Sequence, residues 1–393
     1  MTLSAAPPLR GGVWAELIGQ ERAVAALQRA VGGQSHAMSH AWLIVGPPGS
    51  GRSNAARAFA AALQCERPGG AEPGCGVCNA CRTALSGAHP DVTLVRTEQL
   101  SIGVEEVRDL VRRASMSPTM GRRQVIVVED ADRVTERGAD ALLKSIEEPA
   151  RKTVWILCAP TADDVVPTIR SRCRLLTLAT PTVAAVARLL TVRDGVPPEV
   201  AEEAARAAHG HVGRARVLAR DEAARERRRE VLQIPFGLNG LAACLDAASR
   251  VIAMCSAEAT AATGELDARE RDKLEEALGF GTRGARPRQA AAALKELDEQ
   301  QKARAKRFQR DAIDRALTEL TGLYRDVLSL QTGAGAALVN AELQPRLAVL
   351  ARRSTPEATL RRIDALLACR TALEGNVAPL LAVEAMMIAL VEG

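Results

Sequence analysis

At 393 residues the chain is too long for one ordinary core, so two or three domains are expected. Hydrophobic residues make up 47% and charged residues 25%, a soluble globular balance, and no apolar run approaches the length that spans a bilayer. The formal charge of +5 permits a surface facing nucleic acid without demanding one, and with three Trp, one Tyr and four Phe the cores must be aliphatic.

In chain order, residues 1–10 lack the basic start and apolar stretch of a signal peptide. Residues 41–45 form a short apolar run entering Gly46, and 54–63 read as an Ala-rich helix. After a cysteine-rich stretch, 91–95 read as a strand. Residues 104–113 read as a helix, with Val104, Val107, Leu110 and Val111 at helical spacing. Residues 124–128 are a buried strand ending in Glu129-Asp130; 139–148 are a helix stopped at Pro149; 153–157 and 174–178 are the remaining strands. Strands alternating with helices predict an α/β unit, a mostly parallel sheet covered on both faces.

Beyond Pro181 the pattern is helical only. Three short helices at 182–192, 198–208 and 213–220 make a lid-sized bundle. The arginine run at 225–229 leads into an all-α block, where it reads as a solvated helix face. In that block Ile313, Leu317, Leu320, Tyr324 and Val327 form one apolar stripe, preceded by the polar stretch 298–307. Residues 279–287, with Gly281 and Gly284, break the block, and further helices are expected at 336–339, 347–350 and 380–390.

Cys65, Cys75, Cys78 and Cys81 are spaced C-x9-C-x2-C-x2-C, with Pro68, Gly69, Gly70, Pro73, Gly74 and Gly76 as bends. Four thiolates can close a tetrahedral zinc shell with no open position, a structural site rather than a catalytic one. The alternatives are a reduced loop without metal, or two disulfides. Clustered thiols suit a reducing compartment, and a cytoplasmic location is expected. Cys158, Cys173, Cys244, Cys255 and Cys369 fall singly in apolar or helical contexts and are expected in cores. None of the five histidines shows a metal-ligand arrangement.

Residues 46–53 fit the phosphate-loop skeleton G-x4-G-x-[ST], between a strand and a helix. Gly46, Gly49 and Gly51 let backbone N–H groups turn toward phosphate oxygens, and Ser53 stands where a magnesium ligand would. Where lysine is called for stands Arg52, whose planar guanidinium is bulkier and differently directed. Glu129-Asp130 reverses the acid order after the strand at 124–128, leaving the water-activating carboxylate one methylene short; a misplacement of about 1 Å costs on the order of a hundredfold. Ala159-Pro160 offers no polar side chain to sense a phosphate. Hydrolysis in this pocket is not expected, while ATP or ADP held without turnover is compatible with the glycine cradle. In residues 167–173, Arg172 sits in a short loop before a strand, where its fork suits a neighbour's γ-phosphate.

Taken together, residues 14–20, 40–43 and 46–53, the cysteine module, residues 142–149 and Ser171-Arg-Cys173 occur in an order that resembles the AAA+ clamp-loader subunits of bacterial DNA polymerase III, most closely the delta-prime branch. The resemblance is specific over residues 13–220. It implies a RecA-like AAA+ module over 1–180 with a zinc insertion at 65–81, a helical lid over 181–224 and a helical collar over 225–393. It further implies a non-hydrolysing subunit that joins gamma/tau motor and delta subunits in a five-membered ring. There Arg172 would act in trans while the ring loads a sliding clamp onto primed DNA, with no membrane partner. The alternative within the family is the gamma/tau ATPase motor, against which Arg52, Glu129-Asp130 and Ala159-Pro160 weigh. A specific DNA reader is disfavoured, because no aromatic-rich basic stripe or recognition helix appears.

Overall fold

Strands clad by helices on both sides must be apolar on both faces, and the buried Val, Ile, Leu and Ala runs of this chain meet that demand. The computed structural model describes residues 11–33, 36–67, 74–97, 101–278 and 288–392. The bends expected at Pro68, Gly69, Gly70 and Pro73, the break at 279–287 and the segment 1–10 lie outside the described residues. The chain divides into two compact units, Met1–Arg220 and Asp221–Gly393.

The first unit begins with α1 (Glu21–Val31), β1 (Ala41–Val45), α2 (Arg52–Gln64), α3 (Asn79–Ser86), β2 (Val92–Val95) and α4 (Val104–Ala114). It continues with β3 (Gln124–Val128), α5 (Glu136–Glu147), β4 (Thr153–Ala159), α6 (Pro167–Arg170) and β5 (Arg174–Thr177). All five strands are parallel, in the order β2-β3-β4-β1-β5. Alternate residues divide the core: Trp42, Ile44, Val127 and Ile156 pack toward α1–α3, and Leu43, Ile126, Trp155 and Leu157 toward α4 and α5. α5 starts three residues earlier than the apolar spacing suggests, because the Thr135 hydroxyl accepts from the Gly138 N–H at 3.2 Å and caps it. The unit closes with α7 (Val183–Val192), α8 (Pro198–Ala207) and α9 (Val212–Arg220), which pack on one another.

The second unit is wholly helical among its described residues: α10 (Glu222–Gln233), α11 (Leu241–Ala277), α12 (Arg288–Thr332), α13 (Gln344–Arg353), α14 (Pro356–Glu374) and α15 (Pro379–Glu392). Ile313, Leu317, Leu320, Tyr324 and Val327 of α12 are all buried in one cluster with Cys244, Cys255 and Cys369. The polar stretch 298–307 belongs to the same 45-residue helix, about 67 Å long at 1.5 Å per residue. There α12 meets α11 through charge: Arg304 donates to Asp267 at 2.8 Å and to Glu270 at 2.9 Å.

Two sequence expectations are corrected here. Residues 336–339 are not helical; they lead into a turn pinned by the buried Asp326 carboxylate, which accepts from the Val339 and Asn340 N–H groups at 3.0 and 2.8 Å. Nor is the 225–229 run simply a solvated face. Arg228 is only 9% exposed and pairs with Glu319 at 3.2 Å and Glu342 at 3.0 Å, while Arg225 and Arg229 pair with Glu222.

Candidate functional site

The carboxyl ends of β1, β3 and β4 bring together most of the residues singled out in the sequence. In a parallel sheet this is where ligands bind, because crossover loops leave a crevice there. The loop 46–53 leaves β1 with Gly49 at φ 84° and Gly51 at φ 92°, the left-handed region that glycine tolerates. Arg52 and Ser53 open α2. The Gly46 N–H donates to the Pro160 carbonyl at 3.1 Å, tying the loop to the end of β4. Buried Gln20 clips it from the other side: its amide donates to the Ser50 carbonyl at 3.1 Å and to the Ala179 carbonyl at 2.5 Å, and accepts from the Ala179 N–H at 3.1 Å.

The chemistry around this loop is satisfied only in part from within the chain. Glu129, at the end of β3, has a buried side chain and accepts from Arg57 Nε at 2.7 Å. Arg52 keeps Nη1 buried and without a hydrogen-bond partner among the described residues, as does the Ser50 hydroxyl. The Arg52 charge acts on buried Cys158 and on Asp132, which is exposed to solvent although partly desolvated. Burial raises the Asp132 carboxyl above its ordinary range, and Asp130 adds to the rise. On the lid side, a Cβ built on Gly49 would lie 2.4 Å from the Cβ and 2.5 Å from the Cα of His211. His211 in turn caps α9, its Nδ1 accepting from the Arg214 N–H at 3.2 Å. The approach depends on a turn in which His209 and Gly210 both take positive φ. The lid is tied down by Arg216, which meets Glu16 at 2.9 Å and Asp194 at 2.7 Å. These groups do not suit a magnesium nucleotide: the acid is paired, the cation tucked inward and the loop packed against by an imidazole.

The cysteine module fits a metal. All four Sγ atoms lie within 4.8 Å of one another, against about 3.8 Å expected between thiolates at zinc–sulfur distance. Backbone N–H groups point at the sulfurs: Cys75 N at Cys65 Sγ (3.5 Å), Cys78 N at Cys75 Sγ (3.4 Å) and Cys81 N at Cys78 Sγ (3.4 Å). Hydrogen bonds from Val77 and Cys78 bring the Cys75 thiol down to about 6, whereas burial pushes the Cys81 thiol up. The module also grips the start of the unit. Val13 N donates to the Gly74 carbonyl at 3.1 Å, and a Cβ on Gly12 would meet that oxygen at 2.3 Å.

Arg172 stands apart from both groups, just before β5, which pairs only with β1 in the sheet. Its segment is braced on either side. Arg170 pairs with Asp163; Arg174 donates to the His36 and Ala37 carbonyls at 3.0 and 2.7 Å and lies 5.1 Å from the centre of the Trp42 ring. Cys173 turns inward, and burial lifts its thiol to about 12. The Arg172 side chain is 40% exposed; Nη1 donates to the Thr168 carbonyl at 2.9 Å and the Ser171 hydroxyl at 3.1 Å, and Nη2 meets Glu147 at 2.6 Å.

Sequence reading passed over Arg57, Gln20, His211 and Glu147. Arg57 had a usable signal, one helical turn beyond Ser53 on the helix that the phosphate loop opens. His211 had none, since its role depends on how the lid folds back.

Residues 19–182 match the family described as DNA polymerase III, delta subunit, and residues 271–391 the one described as DNA polymerase III, delta subunit, C terminal. The DNA polymerase III subunit delta-prime of Pseudomonas aeruginosa is 38% identical over 179 residues, 45% of this chain and 53% of that protein. That of Bacillus subtilis is 32% identical over 197 residues, 50% of this chain and 59% of that protein. A gamma/tau subunit, from Mycobacterium tuberculosis, is 37% identical over 164 residues, 42% of this chain and 28% of that protein. The chain thus spans about half or less of the length of these relatives.

Proposed function

Because this chain belongs to the DNA polymerase III delta-prime family of AAA+ clamp-loader subunits, we propose that it is a non-hydrolysing member of a loader ring that offers Arg172 to a neighbour's ATP. One observation carries the reading: the acid that would hold magnesium, Glu129, is already paired inside the chain with Arg57 at 2.7 Å. Arg52 in the lysine position and His211 against Gly49 support it. Arg172 has the opposite character, a braced backbone with a half-exposed guanidinium, which is what phosphate recognition across a subunit edge requires.

In this proposal residues 1–180 form the AAA+ module, 181–224 the lid and 225–393 the collar that joins the ring. The partners are gamma/tau motor subunits and the delta subunit, and the assembled complex places a sliding clamp on primed DNA in the cytoplasm. Cys65, Cys75, Cys78 and Cys81 hold one structural zinc, which cross-links the module and supplies no chemistry to substrate. About one equivalent of zinc per chain should survive purification without chelator; none found would remove the metal from the proposal.

Reconstitution tests the function. The chain alone should show no steady-state ATP turnover, and robust turnover abolished by Arg52→Ala would revive the motor reading. Combined with gamma/tau and delta subunits, Arg172→Ala should assemble yet lose DNA-stimulated ATPase and clamp loading. Removing such a finger costs a factor of about 10³ or more at its own site, and less in the bulk rate of a ring with several sites. An alanine variant that loads clamps at the unmodified rate would return Arg172 to the role of a surface loop residue.

A further inference from the structure

Glu147 is the last residue of α5, followed by Glu148 and Pro149. Two carboxylates at a helix C-terminus face the negative end of the macrodipole, where basic residues are favoured. Local helix chemistry therefore gives no reason for an acid at 147. The contact it makes does: Oε1 lies 2.6 Å from Nη2 of Arg172, on a different element.

Counting donors shows what that contact achieves. A guanidinium carries five N–H groups in a fixed plane. The Thr168 carbonyl and the Ser171 hydroxyl occupy Nη1, and Glu147 Oε1 lies beside Nη2 as an ion pair. The Nη2 and Nε–H donors make no hydrogen bond among the described residues. Thr168 and Ser171 belong to the same turn as Arg172, so they hold Nη1 wherever that turn goes. Glu147 alone fixes the plane of the group relative to the sheet module, through α5.

We propose that Glu147 is a positioning residue for Arg172, holding the guanidinium pre-aimed so that its remaining N–H donors meet a phosphate on the adjacent subunit. The inference rests on the trans-finger reading above. Arginine surrenders considerable rotamer freedom when it clamps a ligand, and a chain that has already restricted it loses less on engagement. An exposed pair of this kind is a modest contributor, so the expected effect is about twofold to fivefold.

The experiment is a double-mutant cycle in the complex reconstituted with motor and delta subunits, reading DNA-stimulated ATPase and checking assembly by sizing. Glu147→Ala should lower kcat about twofold to fivefold with the KM for ATP unchanged. Glu147→Gln, whose amide oxygen can still lie against Nη2, should restore at least half of the loss. In the Arg172→Ala background, Glu147→Ala should have no further effect, which a merely structural role would not produce. The proposal is overturned if Glu147→Ala leaves the rate unchanged, if it raises the rate by releasing a sequestered arginine, or if it costs as much without Arg172 as with it. Failure of the finger reading shows separately, as an Arg172→Ala complex with unmodified turnover.

Discussion

The pocket at the end of β1 and the loop before β5 each bear arginines, and they use them in opposite ways. In the pocket, Arg57 is spent on Glu129, and Arg52 keeps its Nη1 buried. At the edge, Arg170 and Arg174 brace the chain so that Arg172 between them stays half exposed. Both Arg57 and Arg172 are paired, but Arg57 neutralises a buried carboxylate whereas the partner of Arg172 is as exposed as Arg172 itself, so Arg172 is the cation more easily offered to a ligand. Under the proposed function the pocket is structural and the edge is the working surface, which yields a sharp rule: pocket substitutions should cost stability, edge substitutions activity.

The largest expected effect lies at the edge. Arg172→Ala should cost about 10³ at the facing ATP site, yet shift the isolated chain's stability by less than about 0.5 kcal/mol, as surface substitutions do. Lysine should rescue poorly, since it lacks the planar fork. Matched thermal melts and complex ATPase check both halves. A large loss of stability in the alanine variant would erase the distinction between the two regions.

Next is Gly49→Ala. The added methyl would meet His211 Cα and Cβ at 2.5 Å or less, at a residue whose φ of 84° already disfavours any side chain. Overpacking of that kind costs about 1–3 kcal/mol, and the left-handed backbone adds about 1 kcal/mol more. The unit should melt earlier, with faster amide exchange in α9 than in the sheet strands. Unchanged exchange in α9 would show that the lid does not rest on the loop in solution.

Arg57→Ala should be milder, about 1–3 kcal/mol, because it strands a buried carboxylate while the lost arginine was itself 36% exposed. Adding Glu129→Gln should recover most of the loss, since a neutral amide tolerates burial better than an unpaired charge. Complexes that still assemble with either variant should turn over ATP normally. A drop in turnover matching that of Arg172→Ala would mean the pocket has a function beyond holding itself together.

How much of this was legible beforehand follows from the range of the forces involved. All five strands could be read from the residues, the three central ones because a strand buried on both faces announces itself as an apolar run. The phosphate loop, the cysteine set and Arg172 were likewise visible as short spacings. The contacts that decide how the pocket is filled were not: Arg57 to Glu129 spans 72 positions and Gly49 to His211 spans 162, and no local pattern encodes such pairs. The error at 336–339 has the same origin. Its small apolar residues suit a helix, but the buried Asp326 on α12 claims the backbone N–H groups of Val339 and Asn340 and holds a turn instead.

The smallest effect concerns a carboxylate that shares burial with Glu129 but not its partner. Asp91, before β2, accepts from the N–H groups of Thr119 at 2.6 Å and Met120 at 2.8 Å, and from that of Gly121. Burial alone would raise its carboxyl, but these three donors and nearby His89 outweigh it and leave it below the ordinary range. A group whose folded value is depressed contributes stability that is complete above its unfolded value, about 3.9, and is lost as pH falls through the lowered folded value. Asp91→Asn should therefore destabilise the chain by about 1 kcal/mol at neutral pH, and the gap from the unmodified protein should close as the pH drops below about 4. Melts between pH 7 and pH 3 check this. A gap that widens toward acid would mean that Asp91 is protonated in the folded chain, and that backbone donors do less for a buried acid than the arginine beside Glu129 does.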